Sequence, residues 1–263
     1  MIDVQCIDAL KGLQALGEES IDVIVTSPPY NLGIEYNSYD DTISRQEYLD
    51  WMLDVAFAMF KALKDDGSLF INLGSKPTDP WLTHDVAALF RRMFILQNNI
   101  TWVKSVTIDD VDEQGPRSFG HFKPLNSPRF VNDCWESIFH FTKTGQVPLN
   151  RLAVGVPYED KSNVKRWQSS SNTRCRGNVW FIPYKTIQKR AEDRPHPATF
   201  PIALVEKCMK LHGLDHINLA CDPFVGLGSS AIAATNLDLN FIGFDIDPYY
   251  CEQAQRRLEE AIP

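Results

Sequence analysis

Residues 222–231 read Asp-Pro-Phe-Val-Gly-Leu-Gly-Ser-Ser-Ala, and they stand between an apolar run and a helical pattern. The run at 217–221 predicts a strand and the spacing at 229–235 predicts a helix, so the glycines occupy the turn between them. Glycine allows a backbone to approach a ligand closely, and a helix N-terminus presents free N–H groups. The stretch therefore predicts a ligand-binding loop in an α/β protein.

A predicted strand at 240–245 ends in Asp245, nineteen residues after Gly226. An acid at this place can accept hydrogen bonds from a ribose diol, and the Gly-x-Gly-x-x-Ala pattern also matches a dinucleotide-binding turn. Two observations favour a different ligand. Asp222 would repel a pyrophosphate but attract a cationic amino-acid group, and the 32 residues after Ala231 are too few to complete a dinucleotide-binding domain in the usual order.

The rest of the chain alternates between the two periodicities, which is typical of a doubly wound, mostly parallel α/β sheet. Strands are predicted at 21–25, 68–73, 97–104, 136–142, 217–221 and 240–245, and helices at 45–64, 84–93, 202–211, 229–235 and 249–261.

Composition places the chain among ordinary globular proteins, with 44% hydrophobic and 23% charged residues over a length of 263. No apolar run is long enough for a membrane helix, and the N-terminal residues lack the pattern of a secretory signal. The six cysteines are well separated, which indicates a reducing compartment. We therefore expect a cytoplasmic protein, or a nuclear one in a eukaryote, without membrane association.

The net charge of −8 hides an uneven distribution. Residues 143–194 hold eleven Lys or Arg and four acids, a net +7, so the remainder carries −15. Such a basic segment on an acidic body suits a protein with one face directed at a polyanion. A solvated, charge-rich loop region explains the same count equally well.

Ser27-Pro28-Pro29-Tyr30 directly follows the predicted strand at 21–25, so it lies at the carboxyl edge where open α/β sheets bind ligands. Consecutive prolines hold the backbone stiffly and present carbonyl oxygens. A serine hydroxyl beside a proline carbonyl can accept both hydrogens of one NH₂ group, and the tyrosine offers a flat face for stacking. An ordinary Pro-Pro turn at the end of a strand is the alternative.

Taken together, these motifs resemble the S-adenosylmethionine-dependent DNA methyltransferases that modify exocyclic amino groups. Thr-Ser-Pro-Pro-Tyr at 26–30 resembles their catalytic motif, the 222–228 stretch resembles their cofactor loop, and 241–245 resembles their ribose-binding strand. His-Pro-Ala-Thr-Phe-Pro at 196–201 resembles a segment beside the methionine end of the cofactor. Because the catalytic motif comes first, the order resembles the β group, which implies a circularly permuted, seven-stranded Rossmann-like sheet.

The resemblance implies S-adenosyl-L-methionine as the cofactor and double-stranded DNA as the partner. It assigns catalysis to Ser27, Pro28, Pro29 and Tyr30. It assigns cofactor contacts to Gln5, His196, Thr199, Asp222, Phe224, Gly226, Gly228, Ser229 and Asp245. Gln5 stands where the family often has Gly-Asp-Cys, so its contact with the adenine of the cofactor is a departure from the family pattern.

The same resemblance divides the chain into a catalytic half at 1–143, a target-recognition insert at 144–194 and a cofactor half at 195–263. The insert coincides with the basic segment, where Trp180 also lies among arginines, and residues 106–133 offer a second DNA-facing loop. The residues expected to contact DNA are Lys123, Arg166, Trp167, Arg174 and Arg176.

The expected reaction is methyl transfer to an amine of a base flipped out of the helix. Ser27 favours the N4 amine of cytosine over the N6 amine of adenine, because family members with Thr-Ser-Pro-Pro-Tyr more often resemble cytosine enzymes. A dinucleotide-dependent oxidoreductase, a methyltransferase acting on RNA or protein, and an inactive DNA-binding relative remain alternatives. Cys208, His212 and His216 recur at four-residue spacing, but Gly213 interrupts the helix, so no metal is expected. The sequence is compatible with a homodimer and does not determine the oligomeric state.

Overall fold

The computed structural model describes residues 1–109, 115–122, 125–162, 164, 172–183 and 199–261. Within these ranges, one large sheet runs through the middle of the molecule. Its eight strands are β1 (Ile2–Cys6), β2 (Ile21–Thr26), β3 (Leu63–Leu73), β4 (Ile95–Val103), β7 (Trp135–Thr142), β10 (Val179–Phe181), β11 (Ala220–Asp222) and β12 (Phe241–Asp245). Two short antiparallel pairs lie outside it, namely β5 (Ser105–Ile108) with β6 (Arg117–Gly120), and β8 (Val156–Pro157) with β9 (Thr173–Arg174).

The strand order is β1-β12-β11-β2-β3-β7-β4-β10. All neighbours are parallel except β7, which runs antiparallel to both β3 and β4. The carboxyl ends of β1, β12, β11, β2, β3 and β4 therefore meet at one edge of the sheet, and the beginning of β7 lies at that same edge.

Helices cover both faces of the sheet. One hydrophobic cluster contains residues of α1 (Ala9–Ala15), α2 (Arg45–Ala62) and α3 (Leu82–Phe90). The opposite cluster contains residues of α4 (Ile202–His212), α5 (Ser229–Asn236) and α6 (Pro248–Ala261). The expectation of a doubly wound, mostly parallel α/β fold is confirmed.

The ends of the helices follow local rules of the sequence. Ser44 and Glu47 form a reciprocal capping box at the start of α2, in which each side chain accepts from the other's backbone N–H. Pro201 precedes the first residue of α4, and Gly213 ends that helix with a φ of +114°. The buried side chains of α2 recur at three- and four-residue spacing, as its predicted amphipathic pattern requires.

Among the described residues, the sheet has eight strands instead of the expected seven. The additional strand, β10, comes from the predicted insert and pairs in parallel with Thr101–Val103 of β4. The burial of Trp180 explains why this segment joins the sheet. Its side chain is 1% exposed and packs in the core, and its Nε1 donates to the Gly177 carbonyl. The expectation that Trp180 contributes to a DNA-facing surface is therefore wrong.

Other differences concern short elements. The sequence patterns did not predict β1, α1 or the two small antiparallel pairs, and β11 begins three residues later than expected. No helix in the described ranges is both long and apolar enough to cross a membrane.

Candidate active site

A cleft of about 180 Å³ opens at the edge where the parallel strands end. Both predicted motifs border it, although they are about 200 residues apart in the sequence. Its lining includes Asp8, Ser27, Pro28, Pro29, Tyr30, Tyr36, Tyr39, Trp51, Asn72, Glu136, Thr199, Phe224, Gly226, Ser229, Asp245, Asp247 and Tyr250. A site at the carboxyl edge of an open α/β sheet is what the fold favours.

The glycine loop (residues 222–229) leads from β11 into α5 along one side of the cleft. Gly226 and Gly228 have φ values of +49° and +78°, in the left-handed region that glycine adopts without strain. Gly226 lines the cleft, whereas Gly228 packs against α6, where an added Cβ would lie 3.1 Å from the Cβ of Ala254. Gly228 thus allows the loop to pack closely against α6 and does not itself line the cleft.

Asp245, the last residue of β12, binds the backbone of the glycine loop. Its Oδ2 accepts from the Gly226 N–H at 3.0 Å, and its Oδ1 accepts from the Asp247 N–H at 2.9 Å. Burial raises the pKa of this carboxyl, and the two backbone N–H groups oppose that shift. Each carboxylate oxygen can accept a further hydrogen bond, so Asp245 can still receive the two hydroxyls of a ribose.

Asp222 has a different place from the one expected. Its side chain is completely buried and does not line the cleft. Oδ1 accepts from the Thr26 hydroxyl at 2.6 Å and the Phe224 N–H at 3.0 Å, and Oδ2 accepts from the Ser230 hydroxyl at 2.6 Å. Burial raises the pKa of Asp222 to about 6. Asp222 therefore joins the residue before Ser27 to the glycine loop and does not itself face a cationic ligand.

The Ser-Pro-Pro-Tyr motif (residues 27–30) also lines the cleft, and it follows β2, the neighbour of β11 in the sheet. The Ser27 Oγ and the Tyr30 hydroxyl are 2.6 Å apart, and the Tyr48 hydroxyl of α2 donates to the Pro29 carbonyl at 2.9 Å. Behind the motif, the Asp41 carboxylate accepts from the N–H groups of residues 31, 32 and 34 at 2.8–3.0 Å. These contacts hold the motif as it leaves β2.

A polar network lies behind Tyr30. The Asn72 Nδ2 donates to the Tyr30 hydroxyl at 2.7 Å and to the Glu136 Oε2 at 2.6 Å. The other oxygen of Glu136 accepts from the Lys104 Nζ at 2.9 Å, and the side chains of this ion pair are 14% and 17% exposed. Asn72 lies in β3, Glu136 in β7 and Lys104 directly after β4, and these three strands meet at this edge of the sheet.

Aromatic side chains line another part of the cleft. The Trp51 ring lies 5.6 Å from the Phe224 ring and 5.7 Å from the Tyr39 ring, measured between centroids. Burial raises the pKa of both Tyr36 and Tyr39, and the buried Tyr39 hydroxyl has no hydrogen-bond partner among the described residues. Such a wall can enclose a flat aromatic ligand and leaves one polar atom for it.

The charge of the cleft also limits its ligand. Four carboxylates, from Asp8, Glu136, Asp245 and Asp247, are among its described lining residues, which include no Lys, Arg or His. A dinucleotide carries an anionic pyrophosphate and would be repelled here, whereas a cofactor with a sulfonium and an ammonium group fits. The donor set of the cleft therefore suits S-adenosylmethionine better than a nicotinamide cofactor.

The structure brings most of the predicted site residues together. Ser27, Pro28, Pro29, Tyr30, Thr199, Phe224, Gly226, Ser229 and Asp245 all line the cleft. Gln5 does not line the cleft. Its side chain is exposed and donates to the Asp3 carboxylate at 2.7 Å. Asp8, which caps α1, lies at the cleft in its place. His196 lies outside the described residues.

The predicted DNA contacts are only partly described. Lys123, Arg166 and Trp167 lie outside the described residues. Arg174 is exposed on β9, whereas Arg176 is half-buried and its Nε donates to the Val154 carbonyl at 2.9 Å. Arg174 is thus the more accessible of the two arginines.

Sequence reasoning missed Asn72 and Glu136, together with Asp8, Asp247 and the aromatic wall. A polar Asn within the apolar run 69–73 was the one available signal for Asn72. Glu136 begins a strand, and the beginning of a strand faces the site only if that strand is antiparallel. The residue pattern of a strand does not reveal its direction.

Comparisons with known proteins identify the family. Residues 21–256 match the N6/N4 methyltransferase family that is described as DNA methylase. The Type II methyltransferase M.HpaI of Haemophilus parainfluenzae is 29% identical over 258 residues, which cover 97% of this chain and 73% of that protein. The DNA adenine methyltransferase YhdJ of Escherichia coli is 25% identical over 261 residues, covering 97% and 81%.

Solved structures show the same fold. The cytosine-N4-specific PvuII DNA methyltransferase aligns with a TM-score of 0.67 at 20% identity, over 99% of this chain and 90% of that one. TTHA0409 of Thermus thermophilus, complexed with S-adenosyl-L-methionine, aligns with a TM-score of 0.63 at 21% identity, over 100% and 97%. Because the family match spans most of the sequence and its motifs meet in one cleft, this chain belongs to the DNA methylase family of N6- and N4-amino-methyltransferases.

Proposed function

We propose that this protein transfers a methyl group from S-adenosylmethionine to the N4 amine of cytosine in double-stranded DNA. The observation that carries the proposal is the position of Ser27, which lines the same acidic cleft as the glycine loop and Asp245. The family membership supports methyl transfer to an exocyclic amine in DNA. The choice of cytosine rests on the motif itself.

In this proposal each wall of the cleft has its own task. Asp245 binds the ribose hydroxyls of the cofactor, and Phe224 contributes to the wall around its adenine. When bound, S-adenosylmethionine supplies a methyl group activated by a positively charged sulfur. The Ser27 hydroxyl and the Pro28 carbonyl accept the two hydrogens of the target amine, which frees its lone pair for attack. The ring of Tyr30 stacks on the flipped base, and rate arises from positioning and electrostatics.

The target base is argued from the first residue of the motif. Serine is shorter than aspartate and uncharged, so it gives the amine a weaker acceptor and lets the base sit deeper or at another angle. Adenine is the second candidate, since the same two hydrogen bonds serve its N6 amine. The likeness to an adenine methyltransferase over 97% of this chain favours that candidate.

Nucleoside analysis tests the proposal directly. Plasmid DNA is incubated with the purified protein and labelled S-adenosylmethionine, then digested to nucleosides and separated by mass. We expect N4-methylcytosine. N6-methyladenine as the sole product would overturn the choice of base and leave the methyl-transfer assignment in place. Ser27→Ala should lose most turnover and keep the affinity for S-adenosylmethionine, because the hydroxyl acts on the amine and not on the methyl donor.

We further propose that residues 144–194 recognise the DNA, with contacts from Arg166, Trp167, Arg174 and Arg176, together with Lys123 outside this segment. The exposure of Arg174 supports a phosphate contact. Arg174→Ala with Arg176→Ala should weaken DNA binding and preserve cofactor binding. Loss of a phosphate contact lowers the salt dependence of binding equally for all sequences, whereas loss of a base contact relaxes specificity at one position. If affinity and site preference both survive, residues 106–133 become the candidate.

A further inference from the structure

A chain of hydrogen bonds leads from Ser27 to a partly buried ion pair at the border of the cleft. It passes from the Ser27 hydroxyl to the Tyr30 hydroxyl and from there to Glu136, which Lys104 balances in charge. We propose that this chain is the route by which the reaction's proton leaves the target amine, with Glu136 as its terminal acceptor. This inference rests on the proposal that Ser27 contacts the amine, but it holds for either base.

Asn72 fixes the direction of two hydrogen bonds in this chain. A carboxylate paired with Lys104 only accepts hydrogen bonds, so the Asn72 atom 2.6 Å from the Glu136 Oε2 must be the amide nitrogen. The same nitrogen lies 2.7 Å from the Tyr30 hydroxyl, which therefore acts as an acceptor toward Asn72. Tyr30 has one proton to donate. Besides Ser27, its acceptors are the backbone carbonyl of Asn72 at 3.1 Å and the Glu136 Oε2 at 3.4 Å.

The hydrogen bonds of Tyr30 determine whether Ser27 can accept from the target amine. When the Tyr30 proton points toward Glu136, the 2.6 Å contact requires Ser27 to donate to the tyrosine oxygen. The lone pairs of Ser27 are then available to the hydrogens of the target amine. An acceptor at this position is what the proposed activation of the amine needs, and the network supplies it without a base adjacent to Ser27.

Asn72 carries a polar atom that supports a positioning role. Its side chain is 3% exposed, and its Oδ1 has no hydrogen-bond partner among the described residues. Leaving a buried carbonyl oxygen unpaired is unfavourable. The geometry keeps the nitrogen on Tyr30 and Glu136 in spite of that cost, because turning the amide over would place an oxygen against a carboxylate.

The proton step balances as follows. The amine forms a bond to the methyl group as the bond from that methyl to sulfur breaks, which leaves a positive charge on the amine nitrogen. One N–H proton then passes to the Ser27 oxygen, the Ser27 proton passes to the Tyr30 oxygen, and the Tyr30 proton passes to the Glu136 carboxylate. The products are a neutral methylated amine and a neutral Glu136, and both hydroxyls are regenerated.

The other carboxylates of the cleft have different partners. Asp245 accepts from the N–H groups of residues 226 and 247, and Asp247 accepts from the Ser38 hydroxyl at 2.6 Å. Asp8 accepts from the Lys11 N–H at the start of α1. Glu136 is the lining carboxylate that the described hydrogen bonds connect to Ser27 through Tyr30.

The decisive measurement is the single-turnover rate of methyl transfer to DNA as a function of pH, at saturating S-adenosylmethionine. Glu136→Gln keeps the size of the side chain but removes its capacity to take a proton. We expect its rate constant to fall about 10²- to 10⁴-fold, the usual contribution of a positioned acid or base, with the acid limb of the wild-type profile lost. Calorimetry should give an affinity for S-adenosylmethionine within about twofold of wild type, which also shows that the variant is folded.

Two further variants separate a proton route from simple support. Tyr30→Phe keeps the stacking ring and breaks the chain, so it should lower the rate by a similar factor, and the double variant should be no slower than the slower single one. Glu136→Asp keeps a carboxylate and should restore part of the rate. Glu259→Gln, on the exposed side of α6, serves as the matched control and should match wild type.

The outcomes distinguish this inference from the function on which it rests. An unchanged rate, or a lowered rate with the acid limb intact, in Glu136→Gln would overturn the proton route. Multiplicative losses in the double variant would do the same, because the two residues would then act independently. If Ser27→Ala keeps its turnover, the site assignment itself fails. If only Ser27→Ala is inactive, the site assignment stands without the proton route.

Discussion

The glycine loop and the Ser-Pro-Pro-Tyr motif face the same cleft but are held in place by different means. The glycine loop is fixed by backbone N–H groups of residues 224 and 226, which donate to the carboxylates of Asp222 and Asp245. The motif is fixed largely by side chains from other elements, including Tyr48 of α2 and Asn72 of β3. Substitutions behind the loop should therefore change stability and cofactor affinity, whereas those behind the motif should change the rate.

Replacing Asp222 should have the largest effect, because its carboxylate joins both regions. Asp222→Ala leaves the Thr26 and Ser230 hydroxyls and the Phe224 N–H without their acceptor in a buried place, which we expect to cost about 3 kcal/mol of the free energy of unfolding. Urea denaturation measures this loss. Asp222→Asn retains an amide oxygen for two of the three donors and should lose less than half as much. Equal losses in both variants would show that charge, and not hydrogen bonding, holds the two regions together.

The pH dependence of stability sharpens this test. Burial raises the pKa of Asp222 from 3.8 to about 6, so its contribution to stability is present below pH 3.8 and is lost as the pH rises through 6. The amide of Asp222→Asn does not titrate. Between pH 4 and pH 7 the stability of the wild type should thus fall relative to that of the variant. Parallel curves across this range would contradict the raised pKa.

Asp245→Ala tests the glycine loop on its cofactor side. Loss of a charged acceptor for the ribose hydroxyls should weaken binding of S-adenosylmethionine more than tenfold, or by about 1.5–3 kcal/mol. Isothermal calorimetry on the folded variant measures it. Asp54→Ala, which removes an exposed carboxylate from α2, is the control. An unchanged affinity in Asp245→Ala would exclude the ribose contact.

Tyr48→Phe should have the smallest effect and tests the side-chain support of the motif. It removes the hydroxyl that donates to the Pro29 carbonyl, at a cost of about 1 kcal/mol. If that bond positions the motif for reaction, the single-turnover rate should fall about fivefold while the affinity for S-adenosylmethionine stays constant. A loss of cofactor affinity equal to the loss of rate would show that loop and motif are not separately supported.

The two regions also differ in what the sequence could predict. Gly226 and Asp245 followed from a short pattern, since a tight turn between strand and helix needs residues of a particular kind at fixed spacing. The roles of Asp222 and Gly228 did not follow, because the same residue types serve equally well to contact a ligand or to support the loop from behind. Only their burial and packing distinguish these possibilities.

By itself the sequence determined the doubly wound architecture, the edge of the sheet at which ligands bind and the two motifs that border the cleft. Periodicity and turn residues carry that information locally. Only the tertiary structure decided that Val179–Phe181 adds an eighth strand and that Asn72, Glu136 and Lys104 meet behind Tyr30. The physical reason is the direction of β7, because antiparallel pairing brings its first residues to the carboxyl edge of the sheet. Side chains alternate along a strand in the same way whichever direction it runs, so the residue pattern does not predict that direction.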